Sequence, residues 1–142
     1  MDGQDARGNI PWLVWQVFSS AKPELYALAE RHDLTILQMF AVCVLGPGCE
    51  LPMSSLSGLL HCDASNVTGI VDKLESVSLV TRQESAKDRR IKIIQSTPAG
   101  LRLAQELLKD MRAISVPDVG ALSPEERETL GRLLLKLIPA RG

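Results

Sequence analysis

The residues with the clearest chemical potential lie in one short segment, from Lys73 to Lys92. Six basic and three acidic residues give this segment a formal excess of three positive charges, although the whole chain of 142 residues has a net charge of −1. Positive charge concentrated on a short segment suits contact with the phosphate backbone of a nucleic acid. The net charge of −1 argues against a protein that coats nucleic acid without sequence specificity. The basic residues are Lys73, Arg82, Lys87, Arg89, Arg90 and Lys92, and the acidic ones are Glu75, Glu84 and Asp88.

A helix with one apolar face and one small, polar face is predicted at the start of this segment. Its apolar residues fall at helical spacing and should face a core: Val67, Ile70, Val71 and Leu74. The opposite face fits the major groove of B-DNA, because small or polar side chains let a helix approach the base edges. We therefore predict DNA contacts from Ser65, Asn66, Thr68, Gly69 and Lys73, and from Lys87, Arg89 and Arg90 in the loop that follows. A solvated helix surface and an ordinary charged loop are the alternative interpretations.

Residues for catalysis or metal binding form no recognisable pattern in the sequence. There is no nucleophile elbow, phosphate-binding loop or paired carboxylate motif, so we predict that the protein is not an enzyme. Cysteines and histidines lack metal-ligand spacing, and we predict neither a metal site nor a cofactor. Cys62 precedes the polar helix and is a candidate oxidation switch, with a small buried side chain in a tight turn as the alternative.

The scaffold that must position these residues is predicted to be mostly helical. Hydrophobic residues make up 45% of the chain, which is enough for the core of one domain. Two short helices, about 54–60 and 64–77, are joined by a tight turn, and Asp63 is a suitable N-cap for the second. Two strands, about 79–83 and 91–95, then enclose a polar loop at 84–90. This order predicts a winged helix-turn-helix, in which the hairpin reaches the adjacent minor groove.

Further helices are predicted on both sides of this region. The first covers 10–29, where Pro23 predicts a kink or a break near Ala21–Lys22. Thr35 and Gln38 have capping-box spacing and open a helix that reaches about residue 45. A short extended piece is expected at 50–52. N-cap and N1 proline pairs at 97–98 and 123–124 begin two C-terminal helices, which end near 115 and before 139. The predicted fold class is mainly α with a small β-hairpin wing (α+β).

The chain shows no segment that favours a membrane. Its longest apolar runs, such as the three leucines at 133–135, are far too short to span a bilayer. The N-terminal residues lack the apolar stretch of a signal peptide. We therefore expect a cytoplasmic protein without a membrane partner.

Four motifs follow one another in the predicted winged helix-turn-helix. They are Asp63-Ala-Ser-Asn-Val-Thr-Gly-Ile-Val-Asp-Lys-Leu-Glu75, Leu79-Val-Thr-Arg82, Asp88-Arg-Arg90 and Thr97-Pro-Ala-Gly100. Together they resemble the MarR family of bacterial regulators, whose order of elements matches from Leu34 to Ile138. The resemblance implies a double-stranded DNA partner for residues 34–100, and a helical dimerisation region in 1–33 and 101–142 of a single domain. It also implies that Asp88 holds the wing loop in shape and that Arg90 enters the minor groove.

Two residues depart from the pattern of that family. Ser78 stands where glycine is usual after the polar helix, and Ser96 stands where leucine is usual. Serine carries a steric cost in the left-handed backbone conformation, so a differently built helix end is expected at Ser78. Neither residue lies on the predicted DNA face.

The resemblance further implies a small aromatic or phenolic ligand that releases the protein from DNA. The candidate ligand-binding residues are Trp12, Trp15, Met39, Phe40 and Cys43, for most of which a place in a dimer core is the alternative. The predicted function is a transcriptional repressor that binds a pseudo-palindromic operator as a homodimer and is released by such a ligand. The alternatives are a redox-sensing regulator switched through Cys62 and a winged-helix module that docks proteins.

Overall fold

The computed structural model describes residues 8–114 and 119–138. The helices are α1 (Ile10–Arg31), α2 (Ile36–Val44), α3 (Met53–Leu60), α4 (Ala64–Ser76), α5 (Pro98–Ala113) and α6 (Pro124–Leu137). The strands are β1 (Glu50–Pro52), β2 (Val80–Glu84) and β3 (Lys92–Ser96), and a 3-10 turn covers Val119–Ala121. The predicted fold class, mainly helical with a small β-hairpin wing, is confirmed.

Local signals in the sequence set most of the helix ends. Thr35 and Gln38 form the predicted capping box, with hydrogen bonds of 2.9 and 3.3 Å between backbone N–H groups and side-chain oxygens. Ser123 and Glu126 form the second box in the same way. Of the predicted kink or break near Ala21–Lys22, the break is wrong, because α1 continues through Pro23, and the kink stays a prediction. A proline removes one hydrogen bond, and the turns on both sides of it in this helix of 22 residues retain theirs.

The chain divides into two compact units, and the larger one covers Glu24–Ala113. Its core combines apolar side chains from its helices with those of the sheet. Ile94 on β3 is completely buried and lies opposite both Leu51 on β1 and Arg82 on β2. The largest fully buried side chains are Leu28, Met39, Leu45, Leu56, Leu74, Ile94 and Leu107. This core fixes the helix-turn-helix and the hairpin on one framework.

The sheet has three antiparallel strands in the order β1-β3-β2. The hairpin of β2 and β3 was predicted, although both strands begin one residue later than expected, and β1 was predicted only as a short extended piece. The sequence missed β1 as a strand because three residues are too few to show an alternating pattern. In the structure β1 covers one edge of β3 and leaves β2 as the outer strand of the wing.

The second unit comprises Met1–Pro23 and Ile114–Gly142. Among its described residues Ala21 is buried, whereas every residue of α6 is exposed. The exposed large apolar side chains of this unit are Ile10, Trp12, Val14, Trp15, Val17, Phe18, Leu130, Leu133, Leu134, Leu135, Leu137 and Ile138. The predicted dimerisation and DNA-binding regions divide the chain at other positions, and that functional division stays a prediction.

Over the described ranges, each helix is too short or too polar to cross a lipid bilayer.

Candidate nucleic-acid interface

Helix α4 begins at the N-cap that the sequence predicted. The Asp63 carboxylate accepts hydrogen bonds from the backbone N–H of Asn66 and the hydroxyl of Ser65, both at 2.8 Å. These hydrogen bonds lower the pKa of Asp63 below its usual value, and the bond from Asn66 has the largest effect. A charged N-cap stabilises the first turn of a helix. Asp63 therefore orders the turn that carries Ser65 and Asn66.

The outer face of α4 brings together the predicted contact residues of this helix. A Cβ atom added to Gly69 would meet no other atom within 4 Å, so the centre of the face is open. The Thr68 hydroxyl donates to the carbonyl oxygen of Ala64 at 3.0 Å, which leaves its oxygen as an acceptor. The exposed residues are Ser65, Asn66, Thr68, Gly69 and Lys73, and the buried ones are Val67, Ile70, Val71 and Leu74.

The C-terminal end of α4 is a Schellman motif. The N–H of Leu79 donates to the carbonyl of Leu74 at 2.9 Å, and that of Ser78 donates to the carbonyl of Glu75 at 3.0 Å. Ser78 has φ +60°, so it adopts the left-handed conformation that usually favours glycine. The expectation of a differently built helix end is therefore wrong. The two hydrogen bonds of the motif offset the steric cost of a serine.

The junction between α4 and the hairpin also holds the start of α5. The Thr97 hydroxyl donates to the carbonyl of Ser78 at 2.6 Å, and the Thr97 N–H donates to that of Leu79 at 3.1 Å. Thr97 is also the predicted N-cap, since its hydroxyl accepts the N–H of Gly100 at 3.0 Å. A Cβ atom on Gly100 would lie 2.0 Å from the Leu79 carbonyl oxygen. Only glycine allows this approach, which fixes the base of the wing against α4.

The tip of the wing is a tight turn around Asp88. Its carboxylate accepts the backbone N–H of Arg90 at 2.9 Å, and its carbonyl accepts that of Ile91 at 3.0 Å. Lys87, Arg89 and Arg90 are exposed, and within the described residues none of them has an ion-pair partner. Three cations thus stand on one ordered turn beside α4.

Two other basic residues of the predicted footprint are already paired. Arg82 on β2 binds the carboxylates of Asp72 and of Glu75 on α4, the latter at 2.8 Å. Those hydrogen bonds raise the pKa of Arg82, and the bond to Glu75 has the largest effect. Lys92 pairs across the hairpin with Glu84 at 3.0 Å. Both cations contribute to the net positive charge of segment 73–92. The sequence alone does not show that carboxylates on neighbouring elements neutralise them.

A cleft of about 480 Å³ lies between α4 and the wing, and the sequence did not predict it. One wall comes from the N-terminal parts of α3 and α4, and the other comes from the end of the wing. The lining residues include Ser54, Ser57, Thr68, Arg90 and Lys92. The cleft therefore joins a predicted helix contact, Thr68, to the predicted minor-groove residue, Arg90.

The candidate ligand residues fall into both compact units. Trp12 and Trp15 stack on each other in the smaller unit, with ring centroids 5.1 Å apart and an interplanar angle of 18°. In the larger unit Met39 is completely buried, whereas Phe40 and Cys43 are half-buried. Burial raises the pKa of the Cys43 thiol to about 11. A ligand site formed by these five residues stays a prediction.

Two further residues have contacts that sequence reasoning did not give. Cys62 is half-buried, and its carbonyl accepts the hydroxyl of Ser57 at 2.5 Å. The hydroxyl of Ser96 donates to the carbonyl of Leu45 at 2.7 Å, beyond the end of α2. The serine that replaces the usual leucine therefore ties β3 to α2 through a hydrogen bond.

Known proteins support this description of the fold. The model of the MarR family matches residues 34–92. The repressor MdtR of Bacillus subtilis is 27% identical over 124 residues, which are 87% of this chain and 80% of MdtR. The repressor NicR of Pseudomonas putida is 30% identical over 109 residues, which are 75% of this chain and 67% of NicR.

A solved structure shows the same architecture. It is that of BpsR from Bordetella bronchiseptica, whose DNA binding is described as regulated by 6-hydroxynicotinic acid. The two chains superpose with a TM-score of 0.71 at 22% identity, over 91% of this chain and 92% of BpsR. At that identity the likeness establishes the fold alone.

Proposed function

The chain belongs to the MarR family of transcriptional regulators, and from that premise we propose that it is a cytoplasmic repressor that binds operator DNA as a homodimer. The observation that carries the proposal is an open helix face next to cations that have no ion-pair partner among the described residues. Gly69 leaves the centre of α4 free, and the ordered wing tip presents Arg89 and Arg90 beside it. A helix of this kind fits the major groove, and an arginine on a wing fits the adjacent minor groove.

In the proposed complex Asn66 and Thr68 contact bases or phosphates, while Ser65 holds the helix on the DNA backbone. Lys73, Lys87 and Arg89 contact phosphates, and Arg90 enters the minor groove. Asp88 keeps the wing turn in shape, since its carboxylate accepts the N–H of Arg90. The cleft between Thr68 and Arg90 then faces the sugar-phosphate backbone that separates the major groove from the minor groove.

The homodimer is proposed from the apolar surface of the smaller unit. Along α6 the residues Leu130, Leu133, Leu134 and Leu137 recur at helical spacing, and all are exposed in the single chain. Obligate homodimers typically bury more than about 2,000 Å² of largely apolar surface. A second copy supplies the same surface through a two-fold axis, and that axis sets two α4 helices on successive major grooves.

A ligand that releases DNA is the proposed input signal, and the DNA binding of BpsR is described as regulated by 6-hydroxynicotinic acid. A ligand acts only if it binds the DNA-competent and incompetent shapes with different affinity. We propose that the ligand is a planar aromatic compound, and that its candidate contact residues are Trp12, Trp15, Met39, Phe40 and Cys43. Oxidation of Cys62 is the second candidate, because this half-buried residue adjoins the N-cap of α4.

The test of DNA binding is a selection of fragments from the source genome, followed by footprinting on the recovered duplex. We expect a pseudo-palindrome whose half-sites are about 10 base pairs apart, and a loss of binding when that spacing is changed. Gly69→Leu should abolish binding and leave the melting curve unchanged. A protein-docking module would recover no specific fragment, and an asymmetric half-site that tolerates any spacing would contradict the dimer.

The test of the input signal compares two treatments of the protein–operator complex. Salicylate-like aromatics and peroxide are added to the wild type and to Cys62→Ser. Release by aromatics from both proteins supports a ligand site. Release by peroxide alone, and from the wild type alone, would make Cys62 the sensor.

A further inference from the structure

The acidic residues of α4 raise a question about its DNA-facing surface. Asp72 follows Gly69 by three positions and Ser65 by seven, so it lies on the stripe that forms the centre of that surface. Glu75 follows one turn later. The carboxylates of both residues are partly exposed, with 56% and 43% of the side-chain surface accessible. Two free carboxylates here would repel the phosphates that line the groove.

A single guanidinium binds both carboxylates. Nη2 of Arg82 contacts Asp72 Oδ1 and lies 2.8 Å from Glu75 Oε2. The Arg82 side chain is only 23% exposed, in contrast to the open residues of the wing tip. An arginine of β2 therefore holds both acids of α4.

The position of that guanidinium is fixed by the backbone. Arg82 lies in the middle of β2, in register with the buried Ile94 of β3. β2 leaves α4 through the Schellman motif at Ser78 and Leu79, whose carbonyls are also held by Thr97. Because Gly100 packs directly against the Leu79 carbonyl, this junction has little freedom to move. The charge of Arg82 thus meets the acids at a defined place.

We propose that Arg82 is a positioning residue for DNA binding, which neutralises Asp72 and Glu75 and holds them off the DNA-facing surface of α4. It is not itself a phosphate contact, although it belongs to the basic segment of the sequence. This inference rests on the proposed DNA-binding function. On this proposal the basic segment contains two kinds of cation. Some contact DNA directly, whereas Arg82 neutralises acidic residues of α4 that would otherwise repel the DNA phosphates.

The test measures affinity by fluorescence anisotropy on the selected operator, over a series of salt concentrations. Arg82→Gln should weaken binding by roughly tenfold, because both carboxylates are then free. The triple variant Arg82→Gln/Asp72→Asn/Glu75→Gln should recover the affinity to within about threefold of the wild type. A matched control is Arg31→Gln/Asp110→Asn, which removes an ion pair between α1 and α5, away from α4 and the wing, and should change little.

Other outcomes overturn the inference. If the triple variant stays as weak as Arg82→Gln, and both lose about one unit of salt slope, Arg82 binds a phosphate itself. No effect of Arg82→Gln would also contradict the proposal. Should that variant fail to fold, the triple variant is compared with Asp72→Asn/Glu75→Gln. Equal affinity of those two supports positioning, and tighter binding when Arg82 is present refutes it. Absence of wild-type binding to any recovered duplex would instead refute the proposed function.

Discussion

The unit from Glu24 to Ala113 holds every buried apolar residue of the described chain except Ala21, whereas the smaller unit leaves most of its large apolar side chains exposed. In the larger unit the helix caps, the sheet and the junction at Leu79 form hydrogen bonds with one another, and its exposed large apolar side chains are Tyr26, Val77, Ile91 and Leu108. In the smaller unit α6 is exposed along its whole length. Burial of apolar surface is the main favourable term in folding and association. The contrast supports the proposal that a second copy of the chain covers the apolar surface of the smaller unit.

The first prediction tests the partner surface and has the largest expected effect. Leu133→Glu/Leu137→Glu should convert a dimer into a monomer in sedimentation experiments at micromolar concentration. Each leucine removed from a buried interface costs about 1.5–3 kcal/mol, and a two-fold axis doubles that cost. Leu135→Glu is the matched control, since Leu135 is exposed but lies off the stripe of Leu130, Leu133, Leu134 and Leu137. A wild-type protein that sediments only as a monomer would contradict the proposed homodimer.

The second prediction tests the internal junction of the larger unit. Gly100→Ala should lower the free energy of unfolding by roughly 3 kcal/mol, because its Cβ would overlap a backbone carbonyl. Thermal or urea unfolding measures the change. Gly69→Ala is the control, as it adds the same atom to a helix at an open position and should be neutral or slightly stabilising. Equal stability of the two variants would show that the junction is not tightly fixed.

The third prediction separates free from paired cations on the wing. Arg90→Ala should weaken operator binding by roughly 1–3 kcal/mol and lower the salt slope by about one unit. Lys92→Ala should have a smaller effect, since Lys92 pairs with Glu84. Affinity measured over a salt series distinguishes the variants. Negligible effects of both would mean that the wing does not touch DNA.

The smallest expected effect concerns the end of α4. Ser78→Gly should raise the free energy of unfolding by about 1 kcal/mol, because a left-handed residue other than glycine is strained. Operator affinity should not change, since the helix end is already built as a Schellman motif. Ser76→Gly, at the last residue of α4, is the opposite control and should destabilise the helix. A destabilising Ser78→Gly would argue that the serine side chain contributes a contact of its own.

Much of the fold follows from local chemistry, and the sequence was sufficient for it. Thr35, Asp63, Thr97 and Ser123 cap helices because their side chains bond to N–H groups three residues away. The periodicity of Val67, Ile70, Val71 and Leu74 determined which face of α4 is buried. The polar outer face followed from the same period. Caps and periodicity act within one helix, so they can be recognised from residues that are close together in the sequence.

Other features depend on residues that are distant in the chain or on separate elements. The third strand, the left-handed Ser78 and the contact of Gly100 with Leu79 arise where α4, the hairpin and α5 meet. Composition by itself also cannot distinguish Arg82 from Arg90, since both are arginines of one basic segment. The tertiary structure sets Arg82 against two carboxylates of α4 and leaves Arg90 on the wing tip with no ion-pair partner in the described ranges 8–114 and 119–138. The sequence determines how much charge is present, but ion pairing requires atoms within a few ångströms, and only the packing of separate elements decides which charges remain free.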